Sequence, residues 1–179
     1  MYGFLDKRYA LALYELAEEQ SKVEDFIEDL REISSIIDES EDFKKILDNP
    51  KIGKKEKKKI FEDMFAGKTY DEIISFIGLL IDKGRISELD SMIEQFHLIY
   101  LERHSMLEGY VKSVIPLTDE EYDKLLGKLE KKYNKKVILK REIDKDILGG
   151  LYVKIGNEIM DGSLAGKYKA IRSVMFHSK

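Results

Sequence analysis

The sequence predicts an α+β protein in two parts: a six-helix bundle over residues 1–105, then a small α+β domain over 106–179 ordered β-α-β-β-α. Three observations carry this. Up to residue 105 the apolar residues recur three or four apart, the helical spacing, in one segment after another. Beyond it, Leu151, Val153 and Ile155 alternate with Tyr152 and Lys154 between Gly149-Gly150 and Gly156-Asn157, the pattern of a half-buried strand bounded by turns. The charge also changes sign there: residues 1–105 hold 16 Lys+Arg against 24 Asp+Glu, and residues 106–179 hold 15 against 11. Opposite signs in two segments fit different partners or mutual attraction, and equally two differently solvated surfaces.

The first helix places Leu5, Tyr9, Ala12, Leu13 and Leu16 on one stripe, and the second does so with Val23, Phe26, Ile27, Leu30, Ile33 and Ile37, with Ser21 as N-cap. A short third helix (Phe43, Ile46, Leu47) stops at Asn49-Pro50, because the residue before proline is pushed out of the α region. The fourth carries Ile60, Phe61, Met64 and Phe65. Thr69 and Glu72 have the spacing of a capping box for the next helix.

That fifth helix, Tyr70 to Lys83, is apolar almost all round: Ile73, Ile74, Phe76, Ile77, Leu79, Leu80 and Ile81, with small Ser75 and Gly78 between. Such a helix is either fully buried, which is hard to arrange in so small a bundle, or packs a core on one side and a partner on the other, where Gly78 would leave room for another backbone. Gly84 ends it, and Leu89, Ile93, Phe96 and Tyr100 mark the sixth.

After residue 106, Tyr110–Ile115 reads as a strand closed by Pro116, and Thr118 to Glu121 as a capping box. Its helix bears Tyr122, Leu125, Leu126 and Leu129; Val137–Leu139 and Leu151–Ile155 are the remaining strands. Asp161-Gly162-Ser163 then opens a last helix, with Ser163 as its cap and Leu164, Tyr168, Ile171 and Met175 on one face.

Composition removes several function classes. The chain has 179 residues, 43% hydrophobic and 37% charged, and no cysteine, which excludes a disulfide scaffold and thiolate metal sites. No apolar run reaches membrane-spanning length, and neither an export signal nor an Arg- and Ser-rich transit segment is recognisable. A bacterial cytoplasmic product is expected.

Motifs for chemistry are wanting. Gly67-Lys68-Thr69 resembles the end of a phosphate-binding loop, but Glu62 stands where its first glycine belongs and no strand precedes it. Lys51, 54, 55, 57, 58 and 59 lack the interleaved aromatics or arginines of a nucleic-acid site and read as a solvated loop leading into the fourth helix. His97, His104 and His177 share no metal-ligand spacing. Asp144, Asp146 and Asp161 could hold Mg²⁺ but fit turns and caps better. No catalytic residue, cofactor or metal is expected; the chain reads as a protein of surfaces. Two alternatives are an RNA-binding adaptor stacking bases on Tyr110 or Tyr152 of the basic domain, and a small Mg²⁺ enzyme built on the three aspartates.

Arg8-Tyr9-Ala10-x-Ala12-Leu13, Asn49-Pro50-x-Ile52 and Gly84-Arg85-Ile86-x-x-Leu89 resemble, in order, segments of the delta subunit of F-type ATP synthases. The mitochondrial relative of that family is the oligomycin-sensitivity-conferring protein. The C-terminal half is similar through Val111-x-Ser113-Val114-Ile115-Pro116-Leu117-Thr118. It continues through Asp144-x-x-Ile147-Leu148-Gly149-Gly150-x-x-Val153-x-x-Gly156 and Asp161-x-Ser163. Val114 replaces the family's usual alanine, and Leu164 to Tyr168 departs from its usual basic run.

The resemblance implies a non-catalytic subunit of the peripheral stalk. Its bundle takes up the N-terminal helix of an alpha subunit, and its C-terminal domain holds the b subunits. It reaches the cytoplasmic face of the bacterial membrane only through the complex, binds no nucleic acid, and keeps the catalytic head from turning with the rotor. Joined to the apolar fifth helix, this predicts a groove between helices one and five, lined by Arg8, Leu11, Glu15, Ile74, Ile77, Gly78 and Ile81. Gly149, Gly150, Gly156, Asp161 and Ser163 are expected to serve turn geometry.

Overall fold

The computed structural model describes residues 2–177, with side chains for 5–47, 49–172 and 175. The chain separates into two compact units, residues 1–100 and 101–179, and the division falls inside the last helix of the first.

The first unit contains α1 (Tyr2–Glu19), α2 (Val23–Glu39), α3 (Glu41–Asp48), α4 (Lys54–Phe65), α5 (Asp71–Lys83), a 3-10 turn (Ile86–Glu88) and α6 (Leu89–Arg103). They share one core. Tyr14, Phe26, Leu30, Phe61, Ile73, Ile77, Leu80, Met92 and Phe96 are almost wholly buried in it. Aromatic pairs tie separate helices together, Tyr14 with Phe96 at 5.4 Å and Phe26 with Tyr70 at 5.0 Å between ring centroids.

Helix ends differ from expectation where side chains found partners farther away. Ser21 does not cap α2; it sits at φ 57° and its N–H donates to the Glu18 carbonyl, closing α1 instead. No capping box forms at α5, because the Thr69 hydroxyl donates to Asp29 at 2.6 Å while Glu72 accepts from Gln20, also at 2.6 Å. The partners lie 40 and 52 residues away, beyond the reach of local pattern. Ser40 caps α3 by accepting from the Phe43 N–H. Gly84 ends α5 in the left-handed region at φ 69°, donating to the carbonyls of the last turn.

Five of the six lysines expected in a solvated loop, Lys54, 55, 57, 58 and 59, lie instead inside α4, and three of them have specific partners. Lys57 donates to the Leu47 carbonyl at the end of α3, and Lys54 to the Asp82 carbonyl at the end of α5, while Lys58 pairs with the Asp82 carboxylate at 2.9 Å. Cations here satisfy the orphan carbonyls of two neighbouring helix ends.

The largest correction is the rotation of α1. Ala10, Leu13, Tyr14 and Ala17 face the core, with Asp6 drawn in beside them, whereas Leu5 and Leu16 are over two-fifths exposed and Tyr9 is half-buried. The helix offers two apolar stripes, and the one with two alanines packs inward because it lets the neighbouring helices approach.

The second unit holds β1 (Met106–Ser113), α7 (Asp119–Tyr133), β2 (Lys136–Ile143), a 3-10 turn (Lys145–Ile147), β3 (Leu151–Ile155), β4 (Glu158–Asp161) and α8 (Leu164–His177). Its order is therefore β-α-β-β-β-α, with one strand more than the sequence predicts. Glu158–Asp161 is a four-residue edge strand with no buried residue, so no hydrophobic alternation announces it.

The sheet runs β2-β1-β3-β4, with β1 and β2 parallel and the other pairs antiparallel. The parallel pair needs the long α7 crossover. Thr118 and Glu121 form the predicted capping box at its start. Val111, Val137, Leu139, Val153 and Ile155 pack with Leu129 of α7 on one face. The alternate residues Tyr110 and Tyr152 stack at 6.2 Å on the opposite face.

Candidate functional site

Between α1 and α5 lies an open apolar groove of about 400 Å³, lined by Tyr9, Ala12, Leu13 and Leu16 from one helix and Asp71, Glu72, Ser75, Phe76 and Leu79 from the other. The helices run antiparallel along it: Gln20 meets Glu72 at one end and Asp6 meets Arg85 at the other. The groove resolves the all-round apolar character of α5. Ile73, Ile77, Leu80 and Ile81 face the core, and Ser75, Phe76 and Leu79 face outward beside the outward stripe of α1. Leu16 is 45% exposed and Leu79 40%, so this face is unfilled among the described residues.

The groove lies between the two helices named from sequence, but none of the seven residues chosen there lines it. Ile77 and Ile81 are in the core, and Ile74 and Leu11 are half-buried against it. Gly78 turns toward α4, where a Cβ would lie 3.0 Å from Lys58 Cε. Arg8 and Glu15 are exposed away from the groove. Its lining instead comprises Tyr9, Ala12, Leu13, Leu16, Asp71, Glu72, Ser75, Phe76 and Leu79. The signal for three of them was present, since Tyr9, Ala12 and Leu16 formed the stripe assigned to the core.

At its α5 N-terminal end the groove is acidic, with Asp71 and Glu72. The Gln20 amide donating to Glu72 holds that carboxyl below its usual range. Tyr9 lines the groove nearer its other end, under the Arg85 guanidinium at 5.2 Å from the ring centroid.

A second surface belongs to the C-terminal unit. Gly149-Gly150 and Asp161-Gly162-Ser163 interlock: the Leu164 N–H donates to the Gly149 carbonyl and the Gly162 N–H to that of Leu151, both at 2.9 Å. Asp161 accepts from the Ser163 N–H, and buried Ser163 caps α8 by accepting from the Gly166 N–H, each at 2.9 Å. The Ser163 contacts also hold the Asp161 carboxyl below its usual range. A Cβ on Gly149 (φ 152°) would lie 3.0 Å from Leu164 Cδ1, while a side chain on Gly150 (φ 76°) would overlap the Gly162 carbonyl. Gly156, at φ 54°, turns β3 into β4 in open space.

This joint launches α8, whose Leu164, Tyr168, Ile171 and Met175 are all more than half exposed. Their 4-3-4 spacing is that of a coiled-coil seam, bordered by exposed Lys167 and Arg172. Leu148 stands nearby, 69% exposed and held at φ 62°.

The aspartates do turn work. Asp144 accepts from the Asp146 N–H and pairs with Lys112 at 3.0 Å, which lowers its pKa. Among the described residues no three His, Cys, Asp or Glu side chains are grouped to hold a metal ion, and no helix is long and apolar enough to cross a membrane. The side chain of His177 lies outside the described residues.

Comparison with known proteins agrees with this architecture over its whole length. The family model for the ATP synthase delta (OSCP) subunit matches residues 5–175. ATP synthase subunit delta of Clostridium botulinum (strain Langeland) is 49% identical over 175 residues, covering 98% of each chain. That of Clostridium perfringens (strain ATCC 13124) is 47% identical over the same span. A chain of the cryo-EM structure of the Toxoplasma gondii mitochondrial ATP synthase hexamer shares the fold, with a TM-score of 0.69 at 16% identity over 98% of this chain and 99% of that one. With a full-length family match and relatives near half identity, the chain belongs to the ATP synthase delta (OSCP) subunit family: it is a structural, non-catalytic peripheral-stalk subunit of an F-type ATP synthase.

Proposed function

We propose that the six N-terminal helices act as a bundle that takes up the N-terminal helix of an alpha subunit in the α1–α5 groove. The C-terminal unit, in this reading, holds the b subunits of the peripheral stalk through the exposed face of α8. The chain thereby sits at the cytoplasmic face of the membrane complex and keeps the catalytic head from turning with the rotor. What supports the first contact is the groove: an antiparallel helix pair with an apolar floor fits an amphipathic helix bearing anchors at i, i+3 or i+4, and i+7. The second rests on the α8 seam, whose spacing fits another helix and whose flanking cations favour one with acidic edges.

The direct test is calorimetry of the full chain with a synthetic N-terminal peptide of its alpha subunit. Leu79→Glu puts a charge on an exposed groove residue and leaves the core alone. Affinity is expected to fall at least about tenfold with an unchanged melt, equivalent to about 1.4 kcal/mol. Equal affinity in the folded variant removes the peptide from this groove.

A further inference from the structure

We infer that Arg85 is a positioning residue for the α1–α5 groove: anchored from beneath by buried Asp6, its guanidinium fixes the Tyr9 ring as one wall of the binding surface. The inference rests on the groove reading above and adds to it a device outside the groove itself.

The geometry is a chain of contacts across three elements. Arg85 Nη2 donates to Asp6 Oδ1 at 2.9 Å and also reaches the Glu88 carboxylate. The Asp6 side chain is only 4% exposed, and its other oxygen accepts from the Ser91 hydroxyl at 2.8 Å. Asp6 therefore belongs to α1, Arg85 and Glu88 to the connection after α5, and Ser91 to α6. The two carboxylates take N–H groups of a planar cation, while its Cζ stands 5.2 Å from the Tyr9 ring centroid. A rigid fork held this way presents a flat surface in one orientation, which a flexible ammonium cannot do.

Tyr9 needs such an anchor. It is only half-buried, one turn from Asp6 on the side of α1 that faces away from most of the core. An unheld ring there would sample several rotamers, and a partner would have to order it on binding. A buried ion pair, moreover, adds little net stability compared with apolar residues of the same shape. What distinguishes this one is that its cation ends on a groove residue.

The free, unaltered protein gives the first test: side-chain NMR of Tyr9 should report a single χ1 rotamer, and a rotamer-averaged ring would overturn the inference. The second test is a double-variant cycle read by calorimetry with the alpha-subunit N-terminal peptide. Arg85→Lys keeps the charge opposite Asp6 but lacks the planar fork. It should weaken binding roughly 3- to 10-fold, the cost of ordering one side chain. In a Tyr9→Leu background the same change should have no effect on affinity. Losses that simply add, or no loss with Tyr9 present, would refute the positioning role. Where Arg85→Lys does not fold, the combined variant Asp6→Leu, Arg85→Met and Glu88→Gln removes the whole charge cluster and carries the same comparison. Leu79→Glu is run alongside. If it too leaves affinity unchanged, the groove reading has failed; if it weakens binding while the Arg85 variants do not, only the positioning inference has.

Discussion

Single residues in the C-terminal unit are fixed by backbone geometry more than by side-chain chemistry. Gly150 combines a left-handed φ of 76° with a Cα that faces the Gly162 carbonyl, so even a methyl group has nowhere to go. Gly156 is left-handed too, but opens onto empty space. Gly150→Ala should therefore destabilise this unit by about 1–3 kcal/mol, whereas Gly156→Ala should cost about 1 kcal/mol. Thermal melts of the two variants check the ordering. Equal melts would mean that the joint between β3 and α8 relaxes without cost.

Elements divide their surfaces between the fold and the outside. In α5 the split is core against groove; in α8 it is far more one-sided, because the helix is held chiefly at its first turn by Ser163, Gly149 and the 3-10 turn before β3. Replacing Ile171 and Tyr168 by serine removes apolar side chains that are 61% and 65% exposed. The double variant should melt as the parent does and lose retention on the b-subunit cytoplasmic domain in a pull-down. Full retention would move the stalk contact elsewhere. A lowered melting temperature would show that this face supports the unit itself.

At the scale of the molecule, each unit has a core of its own: one shared by α1 to α6, the other built by the sheet and α7. A fragment of residues 1–105 keeps α6 whole to Arg103 and loses none of the first core. It should fold alone, with helical circular dichroism and one cooperative transition. Having the complete groove, it should bind the alpha-subunit peptide as tightly as the full chain and fail to retain the b-subunit domain. A folded fragment that does not bind the peptide, or that retains the b-subunit domain, would end this division of labour.

Sequence alone determined the α+β class, the capping box at Thr118 and the turns at Gly149-Gly150 and Gly156. These depend on spacing and backbone chemistry within a few residues, and so are written locally. Residue motifs in order and spacing also carried the resemblance to the family, since the blocks extend along almost the whole chain. Only the tertiary structure decided which stripe of α1 turned inward. Leu5, Tyr9, Ala12 and Leu16 look as apolar as a core face, but Ala10, Leu13, Tyr14 and Ala17 allow closer packing, and Arg85 pulls Asp6 in with them from 79 residues away. The same limit hid the edge strand Glu158–Asp161, which exists through pairing with β3 rather than through any pattern of its own. Local periodicity says how many apolar faces a helix has; which of them is left for a partner is settled by what the other helices bury.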